Sequence, residues 1–352
     1  MAKKVVALSL ASLLTGAAWC QSRVEIFGVL DLRVSRISND GGGHLNALNS
    51  AGITTSQLGF RGREELGGGA YTGFHLETLL RPDMGTTGAG FNRRSTVSLG
   101  NHYGELRLGR DTTPSYRMVT KFDPFIANGL GADINVLSAG PAVNGAPATR
   151  RTGTYNQISN TVTYLLPGGE KGGWYGSMMY AFGEATTSNR YRGANLGWVQ
   201  GALTVAAHAA ETKPFNAVPL RHRTVGIAAA YDFPTGTRVM GQYHRERTAR
   251  TAAVDYREPW WLIGVVHAFG ANEFRASYVH KNAHGTTAES GSDASLWAIG
   301  YSYNFSKRTA IYANHARLTN RGTSAIYIPN GPTTITAGGQ SRGLDVGIRH
   351  RF

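Results

Sequence analysis

The residues from Leu344 to Phe352 read LDVGIRHRF, a two-sided strand pattern at the end of the chain. Leu344, Val346, Ile348, His350 and Phe352 fall on one face, because side chains alternate along a β-strand. Asp345, Gly347, Arg349 and Arg351 fall on the other. One apolar and one charged face suit a sheet with lipid on one side and water on the other. That is the wall of a transmembrane β-barrel. The terminal aromatic is expected to close the last wall strand.

The same alternation recurs upstream. Val24, Ile26, Leu30, Leu32 and Val34 oppose Glu25, Asp31 and Arg33. Leu58 and Phe60 oppose Gln57, Arg61 and Arg63, and Leu106 and Leu108 oppose Glu105 and Arg107. Phe274, Ala276 and Tyr278 oppose Arg275, Ser277 and Lys281. In each case the charged set is expected to face a water-filled interior. The faces between Ile311 and Leu318 stay open.

Tight turns punctuate these segments at Leu66–Gly69, Asn101–Gly104, Pro167–Gly169, Gln200–Gly201, Pro234–Gly236, Gly270–Asn272 and Asn304–Lys307. Gly, Pro and Asn supply the backbone angles of short hairpins. Most neighbouring turns lie roughly 32 to 36 residues apart, room for two strands and one longer loop. Seven short turns and eight longer loops predict sixteen strands in an all-β, antiparallel transmembrane barrel.

The N-terminus reads as a secretory signal. Lys3 and Lys4 precede an apolar run from Val5 to Trp19, too short to span a bilayer as a helix. Cleavage is expected after Cys20, giving a signal peptide at 1–20 and a barrel domain at 21–352. The alternative is a lipoprotein acylated on Cys20, which the bulky Trp19 disfavours. Without the leader, the chain would carry no cysteine, hence no disulfide or thiol chemistry. No second apolar stretch reaches the ~18 residues of a membrane helix. An exported chain then stays soluble or spans as a closed barrel, and 46 glycines and 16 tyrosines favour the barrel.

Removing Lys3 and Lys4 leaves 34 basic residues against 22 acidic ones, a balance of +12. Scattered arginines with no basic tract argue against nucleic-acid binding. A positive lumen that favours anions is one reading, and an outer surface facing anionic lipopolysaccharide is another. His280 and His284 share a strand face but lie about 13 Å apart, too far for one zinc ion. No HExxH, GxSxG or P-loop is present, so neither cofactor nor enzyme is expected. Phe27, Trp198, Trp260, Trp261 and Tyr312 fit either an interface belt or packing near loop bases.

Several segments resemble the general porins of Gram-negative outer membranes, of the β-proteobacterial and neisserial kind. VEIFGVLD from Val24 resembles the first strand of that family, and SQLGFRG from Ser56 followed by EELGGG from Glu64 its second strand and first turn. Phe74–Glu77, Arg93–Leu99 and Gly104–Arg110 resemble the third to fifth strands. Asn160–Tyr164 with Pro167, Tyr180–Glu184, Ser306–Thr309 with Tyr312, and Val346–His350 ending at Phe352 continue the match in order. The Trp19-Cys20 junction departs from the small residues usual in the family.

The resemblance implies a homotrimer of sixteen-stranded barrels passing small hydrophilic solutes by diffusion. It implies a third external loop folded into the lumen, its acidic groups facing basic groups on the wall. The connection from Asp111 to about Arg150 fits that loop and carries Asp111, Asp123, Asp133, Arg117 and Lys121. The wall candidates are Arg61, Arg63, Arg94, Arg107 and Arg110. Arg94 is preferred over Arg93, which shares parity with Val97 and Leu99. Arg110 has the parity of Leu106 and Leu108 and reaches the lumen only at a strand end or bulge. The resemblance also makes Phe352 the aromatic read by the outer-membrane insertion machinery. Rival functions are a substrate-selective channel, a barrel hydrolase and a purely structural barrel.

Overall fold

The computed structural model describes residues 23–137, 156–168, 172–184, 190–213, 221–249, 255–285 and 290–352. The expected signal peptide with Cys20, and residues 138–150 of the expected third loop, lie outside them. Among the described residues, sixteen antiparallel wall strands form one continuous sheet. They are β1 (Arg23–Asn39), β2 (Gly43–Ser50 and Gln57–Gly67), β3 (Ala70–Arg81), β4 (Arg94–Asn101), β5 (Gly104–Thr112) and β6 (Gln157–Leu165). Then come β7 (Gly173–Ala181), β8 (Arg190–Gln200), β9 (Leu203–Lys213), β10 (Arg221–Asp232) and β11 (Thr237–Ala249). The last are β12 (Asp255–Arg257 and Trp260–Phe269), β13 (Asn272–Lys281), β14 (Ala294–Asn304), β15 (Thr309–Asn320) and β16 (Gln340–Arg351).

The sheet closes on itself. β16 pairs with β1 from Asn39↔Ser341 to Val29↔Arg351. Gly28 and Phe352 add a reciprocal pair of backbone hydrogen bonds at 3.0 and 3.1 Å. Closure removes both sheet edges, which hydrocarbon could not satisfy.

Strand parity falls as the sequence predicts. Val24, Ile26 and Val34 are exposed outward, while Asp31 and Arg33 are buried inside. On β13, Phe274 and Tyr278 point out, and Arg275, Ser277 and Lys281 point in. On β15, the inner face is Tyr312, Asn314, Ala316 and Leu318. That stretch alternates weakly because its inner face is partly apolar, covered from within.

Among the described residues, the predicted short turns join neighbouring strands at one rim, and Gly169 of the Pro167–Gly169 turn lies outside them. The first connection at the other rim is tight too, only Asp40–Gly42. Gly41 and Gly43 there adopt φ of +75° and +73°, which a side chain would strain. The longer excursion expected there falls inside β2 instead, at residues 51–56. Asp31 holds that break: its carboxylate accepts N–H bonds from Gly52, Ile53 and Thr54 at 2.8–3.0 Å and the Tyr312 hydroxyl.

Candidate channel constriction

The connection after β5 turns into the barrel. Thr113 caps a short helix, α1 (Pro114–Lys121), its Oγ1 accepting the Tyr116 N–H at 3.3 Å, with Pro114 opening the first turn. Met118 and Phe122 pack on Ala206, Ala228, Ala230 and Met240 of β9 to β11. Val119, Phe125, Leu130, Val136 and Leu137 pack on Trp260, Leu262, Val279, Leu296 and Leu318 of β12 to β15. The loop therefore lies against the far wall, and an apolar inner face there is what it needs. The clear side of the lumen runs along β2 to β5.

Asp123 organises the loop. Its carboxylate accepts the N–H groups of Phe125 at 2.9 Å, Ala127 at 2.8 Å and Asp133 at 3.2 Å. Asp133 in turn accepts Gln242 Nε2 of β11 at 2.9 Å. Both carboxylates are buried, so neither lines the opening. This corrects the expectation that Asp123 and Asp133 present acidic groups to the passage. A carboxylate that satisfies three backbone donors in a tight loop is committed to that loop. Gly129, at φ +66°, brings the loop against the β2 break, where a Cβ would lie 1.9 Å from the Gly52 carbonyl oxygen. Thr55 Oγ1 donates to Asn128 Oδ1 beside it at 2.8 Å.

The charged centre forms around Asp111 instead. Arg117 Nη2 on α1 reaches Asp111 Oδ2 at 2.9 Å, Arg107 Nη1 at 3.4 Å, and Arg94 Nε lies 3.6 Å from Oδ1. Arg107 also grips Glu105 at 2.7 and 3.0 Å. Three guanidiniums thus face two carboxylates. Burial pushes the Arg117 guanidinium down from its usual value, Asp111 opposes that shift, and Arg107 adds to it. An arginine remains charged under such a shift.

Along the same side, Arg61 Nε donates to Glu25 at 2.9 Å and Arg63 Nε to Glu65 at 2.6 Å. Both arginines stay half exposed. Arg93 lies just ahead of β4, free of strand parity, and pairs with Glu77, which also contacts His75 at 3.1 Å. A concavity bounded by Arg23, Glu25, Arg61, Arg63, Arg94 and Arg107 opens along this wall. Lys121 stands at the exposed end of α1, its Nζ 3.9 Å from the Tyr175 ring centroid.

Arg110 is not part of this group. The ladder with β6 does bulge between Gly109 and Asp111. Arg110 nonetheless keeps the parity of the outward Leu106 and Leu108, bonding the Asn92 carbonyl and Ser159 Oγ. Sequence reasoning missed Glu25, Glu77 and Glu105 as partners, although all three share the inward parity of the arginines. Of the candidate aromatics, Trp198 and Trp261 lie on the outer face. Phe27 faces the lumen beneath Arg61, Trp260 is buried under the loop, and Tyr312 is buried on Asp31.

A closed hollow barrel, a loop packed inside it and a charged passage beside that loop are the architecture of a membrane channel. The chain matches the Gram-negative porins over residues 6–323 and belongs to that family. It is 31% identical over 365 residues to outer membrane porin protein 32 of Delftia acidovorans, covering 100% of both chains. Major outer membrane protein P.IB of Neisseria meningitidis serogroup B is 24% identical, again over 100% of both. The anion-selective porin from Comamonas acidovorans superposes with a TM-score of 0.83 at 30% identity, over 94% of this chain and 100% of that one. OmpT of Vibrio cholerae, in its trimer form, shares the fold with a TM-score of 0.70 at 14% identity, over 94% and 99%. The protein is an outer-membrane porin.

Proposed function

We propose that the channel passes small hydrophilic solutes and ions by passive diffusion, with a weak to moderate preference for anions. The observation that carries this reading is the excess of guanidinium over carboxylate at the passage, Arg94, Arg107 and Arg117 around Asp111. Fixed positive charge in a narrow aqueous passage raises the local anion concentration. The anion-selective Comamonas relative supports the same direction. Single-channel reversal potentials in a salt gradient test it, and a clear cation preference would overturn it.

The working assembly is a homotrimer in contact with outer-membrane lipid and lipopolysaccharide. Export uses residues 1–20 as a cleaved signal, and Phe352 is the residue engaged by the insertion machinery. Sedimentation of the detergent-solubilised protein and N-terminal sequencing of the mature chain test the first and second of these. A monomer, or a retained leader, contradicts them.

A further inference from the structure

The outer face of β8 to β12 carries a second arginine cluster, unrelated to the passage. Arg192, Glu211, Arg223, Arg247 and Arg257 stand directly opposite one another on five successive strands. Their parity is that of the exposed Leu196, Val205, Ile227, Tyr243 and Trp261, so the row faces away from the lumen. It sits towards the rim of the longer loops, and Arg190 and Lys213 pair just beyond it. Half the circumference separates it from the seam between β1 and β16.

Glu211 pre-orders this row. Its carboxylate accepts Arg192 Nη2 at 3.1 Å and Arg223 Nε at 2.8 Å, with Arg221 Nε at 3.6 Å. Those arginines nevertheless remain 70%, 49% and 45% exposed. A guanidinium has five N–H donors, so a single carboxylate leaves most of them pointing outward. On the other side, Arg223, Arg247 and Arg257 lie about 5 Å apart on neighbouring strands, a spacing a bridging phosphate can span.

Directly beneath on the same strands is an apolar groove of about 750 Å³. Its upper edge is the register row Leu196↔Ala207↔Ile227↔Tyr243, four residues or about 13 Å along each strand from the arginines. Ala229 and Gly241, small residues on the outward face, hollow it out, and Trp174 and Trp198 bound it, their rings 4.9 Å apart and edge to face.

We propose that this row and groove form a binding site for one phosphorylated, acylated glycolipid of the lipid A type. The row takes its phosphates and the groove one of its acyl chains. An anionic head with apolar chains is the one chemistry that satisfies both halves at a lipid-facing wall. The site deepens the lipid contact proposed above by giving it a place and a ligand geometry. It rests on the outer-membrane location and is independent of the pore's ion preference.

The experiment uses full-length protein in detergent, with bis-phosphorylated lipid A as the probe and native mass spectrometry as the readout. Arg192→Ala, Arg223→Ala and Arg247→Ala together should weaken lipid A binding at least tenfold. Ala207→Trp should weaken lipid A binding and leave inorganic pyrophosphate binding unchanged. Single-channel conductance should be unaltered in both, since neither touches the lumen. Heat-modifiable gel mobility reports folding, and the single variant Arg223→Glu replaces the triple one if that fails to fold. Wild-type lipid A affinity in the arginine variants overturns the proposal. So does equal binding of dephosphorylated lipid A, or full competition by pyrophosphate, which would mark a free-phosphate site.

Discussion

Arg117 Nη2 lies 2.9 Å from Asp111 Oδ2, so the loop helix is tied back to the wall strand six residues before it. The wall supplies the carboxylate and the loop supplies the cation, the reverse of the expected polarity at this point. Asp111 is thereby screened on three sides by arginine, and three guanidiniums against Asp111 and Glu105 leave the cluster with a net positive charge.

Arg117→Gln should therefore weaken the proposed anion preference. One unit charge about 4 Å from an ion is worth about 1 kcal/mol in water, a several-fold change in relative permeability. Reversal potentials of wild type and variant in the same salt gradient measure it. The difference should shrink well above 0.1 M salt, where the Debye length falls below about 10 Å. An unchanged potential at low salt would show that Arg117 does not influence the permeating ion.

Gln242 joins β11 to the loop through Asp133, both of them buried. Gln242→Ala removes a donor from a buried carboxylate, a loss of about 1–3 kcal/mol. Thermal unfolding should shift down, and open-channel current noise should rise as the loop loosens. Wild-type noise with a lowered melting temperature would separate a stabilising role from a restraining one.

Gly226 lies between two histidines that meet across it. His208 Nε2 and His244 Nδ1 are 3.0 Å apart, and a Cβ at position 226 would lie 2.7 and 2.5 Å from them. His244 also stacks on Trp260, ring centroids 3.9 Å apart, and bonds Gln242 at 2.9 Å. Gly226→Ala should force the imidazoles apart and cost about 1–3 kcal/mol, read as a lower unfolding temperature. Little change would mean that the wall shifts to accept the methyl group.

The ring of Phe352 rests on Gly28, where a Cβ would sit 2.3 Å from its Cζ. Deleting Phe352 should reduce the yield of assembled barrel much more than conductance per channel. Gly28→Leu should displace the same ring and give a milder form of that defect. Heat-modifiable material recovered from membranes quantifies both. Normal assembly with an altered pore would remove Phe352 from the assembly step.

The wall was legible in the residues because lipid on one side and water on the other impose a strict period of two. That argument worked for β1, β5, β13 and β16. It faltered at Ile311–Leu318, where a packed loop replaces water and lets Ala316 and Leu318 turn inward. Acidic loop residues misled for a related reason. Asp123 reads as a free carboxylate in sequence, and only the folded loop reveals that its oxygens are taken by Phe125, Ala127 and Asp133. The β2 break was invisible because Asp31, which holds it, lies about twenty residues away. The outward arginine row was equally readable by parity, since Arg192, Arg223 and Arg247 alternate with inward neighbours.

A hollow tube has no core to resist being flattened. Here the loop after β5 runs from Asp111 on one wall to Gln242 and Leu318 on the opposite one, and touches the β2 break at Gly52 and Thr55. It spans the lumen as a cross-brace, tying three parts of the wall to one another. Passage width and mechanical stiffness are then set by the same segment, so a change that widens one softens the other.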